Sequence, residues 1–131
     1  MTDLSVLLPT YNYGDWIAEA LQSVLDQIPD GVVVEVVVAD DGSTDQTGDV
    51  VRGFDERVKY FRQDNAGPAA ARNLALREAR GRYLMFLDSD DSLVDGCIET
   101  TVRFLDDHPE VGLFFTNYDI YDDEGVVSAS E

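Results

Sequence analysis

Apolar runs and amphipathic stretches alternate along the chain, and their spacing predicts the element order. Leu4 to Leu8 is a short apolar strand stopped by Pro9, and Thr10-Tyr11-Asn12-Tyr13-Gly14 is a loop of polar and aromatic residues. From about Asp15, which can cap it, a helix carries Trp16, Ile17, Ala20, Leu21, Val24, Leu25 and Ile28 on one face, and Pro29-Asp30-Gly31 ends it. Val32 to Ala39 is β-branched and almost wholly apolar apart from Glu35, which marks an interior parallel strand. A helix from about Thr44 to Phe54 follows, then a strand over Val58 to Phe61, then a loop over Gln63 to Pro68. The next helix runs to about Arg80, turns Leu74, Ala75 and Ala79 inward, and has Gly81 just past its C-terminus.

Arg82 to Leu87 is the fourth strand, and Asp95 to about Asp107 is a helix with Ile98, Val102 and Leu105 on one face. Val111 to Thr116 reads as a fifth strand, which Asn117 to Asp122 either continues or follows as an edge strand. Asp123-Glu124-Gly125 is a turn from which Val126-Val127 returns as a hairpin arm. The order β-α-β-α-β-α-β-α-β with short links builds a three-layer α/β/α domain around a mostly parallel sheet, because such crossovers are right-handed. At 131 residues the chain suits one domain with one core, residues 1–131, and 44% hydrophobic content argues against disorder.

Charge narrows the function. Twenty-seven acids against nine bases give a net charge of −18, and Lys59 is the only lysine. Such a surface argues against binding nucleic acid or docking on anionic lipid through a basic patch. Self-repulsion of this size is relieved by salt, and with so little lysine it points to a protein adapted to a saline cytoplasm. Cys97 is alone, so the chain has no internal disulfide. There is no signal peptide and no apolar run long enough to span a membrane, so the expected compartment is the cytoplasm. Membrane association would come only through regions or partners outside this chain.

The chemistry concentrates where strands end. Tyr83-Leu84-Met85-Phe86-Leu87 runs straight into Asp88-Ser89-Asp90-Asp91. Ligands of open α/β sheets bind at that edge, and three close carboxylates call for a compensating hard cation, Mg²⁺ or Mn²⁺. If the segment is extended, Asp88 and Asp90 share one crevice while Ser89 turns aside; the plain alternative is a turn, which Asp and Ser favour. Asp40-Asp41-Gly42-Ser43 follows another buried strand, with Asp41 able to accept from a ribose or base, or Ser43 or Thr44 simply capping the next helix. Pro9-Thr10-Tyr11 reaches the same edge, with Tyr11 either stacking on a planar base or lidding the next helix. Arg72 stands in the first turns of a helix, where the dipole disfavours a cation, which hints at an anionic partner: a diphosphate or the carboxylates. The plain alternative there is a surface salt bridge. His108 is expected at the surface.

Four anchors occur in order: Leu8-Pro9-Thr10-Tyr11-Asn12, Val38 through Asp45, Gly67-Pro68-Ala69-Ala70-Ala71-Arg72-Asn73, and Phe86 through Asp91. Together they resemble the nucleotide-sugar-binding half of the family 2 glycosyltransferases, which have the Rossmann-like GT-A fold. The resemblance implies that Pro9, Thr10 and Tyr11 lie against the base, commonly uracil, that Asp41 bonds it, and that Arg72 lies near base and phosphates. It implies Asp88 near the ribose and metal, Asp90 as principal ligand of Mn²⁺ or Mg²⁺ in the Asp-X-Asp manner, and Asp91 as a secondary ligand. The implied reaction transfers a sugar from a nucleotide-sugar donor, a UDP-sugar foremost, to a saccharide, lipid or protein hydroxyl with inversion. Members carry an acceptor-binding half that supplies the general base. The acids after residue 117, Asp119, Asp122, Asp123, Glu124 and Glu131, do not match its motif. The chain is therefore expected to be a partial domain that binds nucleotide weakly and transfers little sugar. The competing readings are an inactive carbohydrate or protein interaction module, a nucleotidyltransferase, which would bring a basic glycine-rich loop, and a phosphoacceptor domain, which would need a lysine near its last strand.

Overall fold

The computed structural model describes residues 1–129. β1 (Leu4–Thr10), β2 (Val34–Asp40), β3 (Val58–Arg62) and β4 (Tyr83–Phe86) form one parallel sheet in the order β3-β2-β1-β4. The helices α1 (Ile17–Leu25), α2 (Thr47–Arg52) and α3 (Pro68–Glu78) fill the three crossovers, α4 (Cys97–Asp107) follows β4, and β5 (Asp119–Asp122) pairs with β6 (Gly125–Ala129) as a separate antiparallel hairpin. This is the expected three-layer α/β/α architecture.

Alternation along β1 and β2 sorts the core between the two faces. Leu4, Val6 and Leu8, with Val34, Val36 and Val38, pack against Ile17, Leu21 and Val24 of α1, Val51 of α2, and Ile98 and Val102 of α4. On the other face Leu7, Val37 and Ala39 meet Ala71 and Ala75 of α3. The small alanines let α3 sit close to the sheet.

Buried Glu35 is the exception in β2 and is fully answered. It takes Ser5 Oγ at 2.6 Å, Lys59 Nζ at 2.8 Å and the Arg80 N–H at 2.7 Å. Burial pushes its carboxyl up, but these hydrogen bonds outweigh burial and hold it below its ordinary value.

Several expectations are corrected. β1 does not stop at Pro9 but continues to Thr10. The missing N–H costs no ladder bond, because pairing with β4 ends at Leu7↔Phe86 and Pro9 aligns only with Ala39 of β2. Asp15 does not cap α1; it accepts from Gln46 Nε2 at 2.6 Å, and Trp16 is not inward but 58% exposed. α2 is shorter than Thr44–Phe54, because Asn12 ties down residues 44 and 45 in a loop and Asp45 accepts from the N–H of Thr47, where the helix begins. Gly81 does not end α3, which stops at Glu78 with Ala79 extended. Gly81 is instead required by proximity: a Cβ there would stand 2.4 Å from Ser5 N, and its own N–H donates to Ser5 Oγ at 2.8 Å.

The fifth strand over Val111–Thr116 is also absent, with Leu113 and Phe115 almost fully exposed. α3 packs over β1 and β2 and leaves Leu84 and Phe86 of β4 half exposed. Among the described residues a strand added beside β4 would find no layer on that face to bury against.

Candidate functional site

β1 is followed in sequence by β2 and β3 on one side and by β4 on the other, so the strand order reverses between β1 and β4. The carboxyl end of such a switch point opens a crevice. A cavity of about 480 Å³ lies there, lined by Pro9, Thr10, Tyr11 and Tyr13 beyond β1, Asp41 beyond β2, Asn65, Gly67, Pro68, Ala71 and Arg72 at the start of α3, and Asp88, Ser89 and Asp90 beyond β4. All the expected site residues line it except Asp91.

The first wall is held by two loops stitched together. Asn12 takes a left-handed conformation (φ 55°), which asparagine tolerates. Its N–H donates to Ser43 Oγ at 2.9 Å, and its Oδ1 accepts from the N–H groups of Thr44 at 2.8 Å and Asp45 at 3.3 Å. Asp45 in turn accepts from the Gly14 N–H at 3.0 Å. The loop so fixed presents Tyr11, 45% exposed, to the cavity. Thr10 is buried, and its Oγ1 is the one buried side-chain polar atom among the described residues without a hydrogen-bond partner.

Asp41 forms the floor and is buried. Its Oδ1 accepts from Gln63 Nε2 at 2.7 Å and the Ala66 N–H at 2.9 Å; its Oδ2 accepts from the Gly67 N–H at 2.9 Å and Asn65 Nδ2 at 3.2 Å. Burial raises its pKa, but these donors outweigh it and the net shift is downward. The observed work of Asp41 is thus to fasten the 63–67 loop. Gly67 enters that loop at φ 96°, a conformation that suits glycine, and Pro68 opens α3 at its first position. Asn65 was not picked out in the sequence; its only signal was a place two residues before that Gly-Pro start.

The acidic segment is a turn, not an extended strand end: the Asp91 N–H bonds the Asp88 carbonyl at 3.1 Å. The turn still brings Asp88 and Asp90 to one cavity, while Asp91 faces a second cavity beside it. Burial, then the charges of Asp90 and Asp88, push the Asp91 carboxyl up. Arg72 answers the carboxylates, reaching Asp88 Oδ1 at 3.3 Å with both side chains partly exposed. Asp90 is exposed, and its carboxylate has no hydrogen-bond or cationic partner among the described residues.

The Glycosyl transferase family 2 model matches residues 5–130. The chain belongs to this family. An uncharacterised glycosyltransferase of Rickettsia conorii is 42% identical over 109 residues, which is 82% of this chain and 18% of that protein. The poly(ribitol-phosphate) β-N-acetylglucosaminyltransferase TarS of Staphylococcus aureus is 37% identical over 82% of the chain and 20% of its own length. Among solved structures, S. aureus TarS 1–349 in complex with UDP-GlcNAc superposes with a TM-score of 0.77 at 37% identity, covering 82% of this chain and 32% of that one. The mannosyltransferase PcManGT of Pyrobaculum calidifontis, in complex with GDP-Man and Mn²⁺, gives 0.65 at 31% identity over 76% and 30%. The chain thus spans about a fifth of the length of the Rickettsia protein and TarS. It has the GT-A type of nucleotide-binding fold, and no helix among the described residues is long and apolar enough to cross a membrane.

A family 2 donor site raises the question of a metal. No three His, Cys, Asp or Glu side chains among the described residues converge closely enough to enclose one. The hard oxygens of Asp88 and Asp90 nevertheless fit Mg²⁺ or Mn²⁺, which is commonly held by one or two carboxylates with phosphate oxygens and water completing the shell. The unpartnered carboxylate of Asp90 is the group free to serve.

Proposed function

We propose that this domain is the donor-binding half of an inverting, metal-dependent glycosyltransferase, and that its cavity holds a nucleoside diphosphate sugar. The observation that carries the reading is the unpartnered Asp90 carboxylate at the carboxyl end of the sheet. It lines the same cavity as Tyr11 and the Arg72–Asp88 pair.

In this reading the base lies against Pro9, Thr10 and Tyr11, where an aromatic face stacks and the unpaired Thr10 hydroxyl gains a partner. Asp41 bonds the base only if Gln63 or Asn65 gives up its place, because four donors already occupy its oxygens. The diphosphate lies toward the N-terminus of α3, whose exposed amide groups favour anions. Arg72 exchanges Asp88 for phosphate oxygens, which frees Asp88 toward the ribose. Asp90 is the principal metal ligand and Asp91 a secondary one. A Mg²⁺ or Mn²⁺ ion held by Asp90 would supply Lewis-acid neutralisation of the charge on the departing nucleoside diphosphate. An acceptor hydroxyl would attack the anomeric carbon as the bond to the diphosphate breaks, its proton passing to the general base of the acceptor-binding half and the nucleoside diphosphate leaving, with inversion.

Uracil is the favoured base because TarS, crystallised with UDP-GlcNAc, is more similar to this chain than PcManGT with GDP-Man. The −18 charge makes basic groups alone a poor anchor for a diphosphate, which also supports a metal. The reading places this half in the cytoplasm, joined to an acceptor-binding half that supplies the general base.

Calorimetric titration with UDP, with and without Mn²⁺, tests this. Metal-dependent binding that Asp90→Ala abolishes is expected. Unchanged binding in that variant would refute the assignment, and no nucleotide binding at all would favour an interaction module.

A further inference from the structure

The wall that carries Tyr11 is anchored from outside the cavity. Asn12, next to Tyr11, donates its N–H to Ser43 Oγ at 2.9 Å, and Ser43 is buried and held at both ends. Its N–H donates to Asp40 Oδ1 at 2.8 Å, and its carbonyl accepts from Arg62 Nη1 at 2.8 Å. Asp40 is completely buried at the end of β2. Its second oxygen, Oδ2, accepts from Tyr60 Oη of β3, with Arg62 Nη1 at 3.8 Å. Tyr60, Asp40, Ser43 and Arg62 do not line the cavity.

Strand register explains the reach. Tyr60 aligns with Val38 and Arg62 with Asp40, so Tyr60, Val38 and Asp40 share a face of the sheet. The Tyr60 ring packs against the core that α1, α2 and α4 cover, and the Arg52 guanidinium lies over it, 4.9 Å from its centroid. α2 makes room for the hydroxyl: a Cβ on buried Gly48 would stand 2.9 Å from Tyr60 Oη. Burial, then the bond to Asp40, push the Tyr60 pKa up, so the hydroxyl keeps the proton it donates.

We propose that Tyr60 is a positioning residue for nucleotide binding: its hydroxyl, through Asp40, Ser43 and Asn12, sets the place of Tyr11 in the cavity wall. The proposal rests on the donor reading, in which the base lies against Tyr11. Tyr60→Phe removes one oxygen and leaves a buried carboxylate short of a donor, which is costly. The nearest replacement is Arg62. If Arg62 moves to Asp40, it releases the Ser43 carbonyl. If it stays, the Asp40 carboxylate recovers hydration only by turning away from the Ser43 N–H. Either way Ser43 is freed at one end, and Asn12 loses its fixed acceptor.

Hydrogen exchange, and calorimetry with UDP and Mn²⁺, test the relay. In Tyr60→Phe the Asn12 and Ser43 amides should exchange roughly tenfold faster, and the Kd for UDP should rise about tenfold. Gly48→Ala, which crowds the hydroxyl without removing it, should weaken UDP in the same direction. Lys59→Met is the control: Lys59 lies on the same strand but faces the other side of the sheet and meets Glu35. It should leave UDP affinity within about twofold although it destabilises the domain. Ser43→Ala breaks the relay one step on, so adding Tyr60→Phe to it should cost no more than about twofold further, a non-additivity that general loss of stability does not produce. Unchanged exchange at Asn12, unchanged UDP affinity in Tyr60→Phe or Gly48→Ala, an equal loss in Lys59→Met, or additive losses in the double variant would each overturn the positioning role alone. Failure of the unaltered protein to bind UDP would overturn the donor reading and this proposal with it.

Discussion

Replacing Asp41 by asparagine separates the two tasks this carboxylate can have. In the structure its oxygens accept four donors while buried. Asparagine keeps the shape but turns one acceptor into a donor. If its oxygen stays with Gln63 and Ala66, its amide nitrogen faces the Gly67 N–H and Asn65 Nδ2. Asn65 keeps its bond to the Asp41 carbonyl at 3.1 Å, but the Gly67 amide has no such second partner. Two bonds to a charged group are lost, at about 1.5 kcal/mol or more each, and two are weakened to neutral ones. Relief from burying a charge offsets part of this. The net loss is about 2–3 kcal/mol, a large share of the roughly 5–15 kcal/mol that holds a domain together.

The sign with pH follows from the lowered pKa. Asp41 contributes stability that is present above its unfolded value of 3.8 and is lost as pH falls through the still lower folded value. Urea unfolding followed by Trp16 fluorescence should therefore show a lower midpoint for Asp41→Asn at about pH 7, with the slope unchanged, and a narrowing gap below about pH 4. Hydrogen exchange should quicken at Ala66 and Gly67. An unchanged midpoint at neutral pH would show that the carboxylate does not fasten the loop. A gap that stays constant into acid would show that its charge is irrelevant.

Gly81→Ala should lower Tm by roughly 10 °C, because a Cβ 2.4 Å from Ser5 N forces β1 and the 79–82 segment apart; a change within about 2 °C would show that the segment yields freely. Lys59→Met should destabilise by about 2 kcal/mol, less than for a fully buried pair because Lys59 is partly exposed. Its deficit should grow as pH rises past about 4.5, since Glu35 would ionise without its cation, and a pH-independent deficit would contradict this. Raising KCl from about 0.1 M to 1 M should raise Tm by screening the −18 charge, and neutralising Asp64, Asp107 and Asp123 together to Asn should flatten that response. Equal salt slopes in both proteins would remove charge repulsion as the cause.

What the sequence could say depended on how many partners a residue needs. β1 and β2 were legible because burial on both faces leaves near-continuous apolar runs, and each run carries its own evidence. The fifth strand failed for the complementary reason. Val111 to Thr116 has the composition of a strand, but a strand also needs a covered face, and α3 stops short of Leu84 and Phe86. Gly81 has the same character: its position after a helix suggested a cap, whereas the constraint is a strand 76 residues away, at Ser5.

The same distinction applies inside the site. Residue type and strand-end position were enough to pick out Pro9, Thr10, Tyr11, Asp41, Arg72, Asp88 and Asp90, which line one cavity, because parallel strands bring their carboxyl ends to one edge of the sheet. Which carboxylate is already spent was not legible, since that depends on where loops from other crossovers fall. Asp41 is occupied by the 63–67 loop, Asp88 is engaged by Arg72, and Asp91 turns to the neighbouring cavity. Of the carboxylates lining the first cavity, Asp90 alone stands without a partner among the described residues. The acidic run therefore resolves into three positions with different surroundings. Only one of them, Asp90, lines both the cavity at the switch point and the neighbouring one, so the position without a partner is also the position the two cavities share.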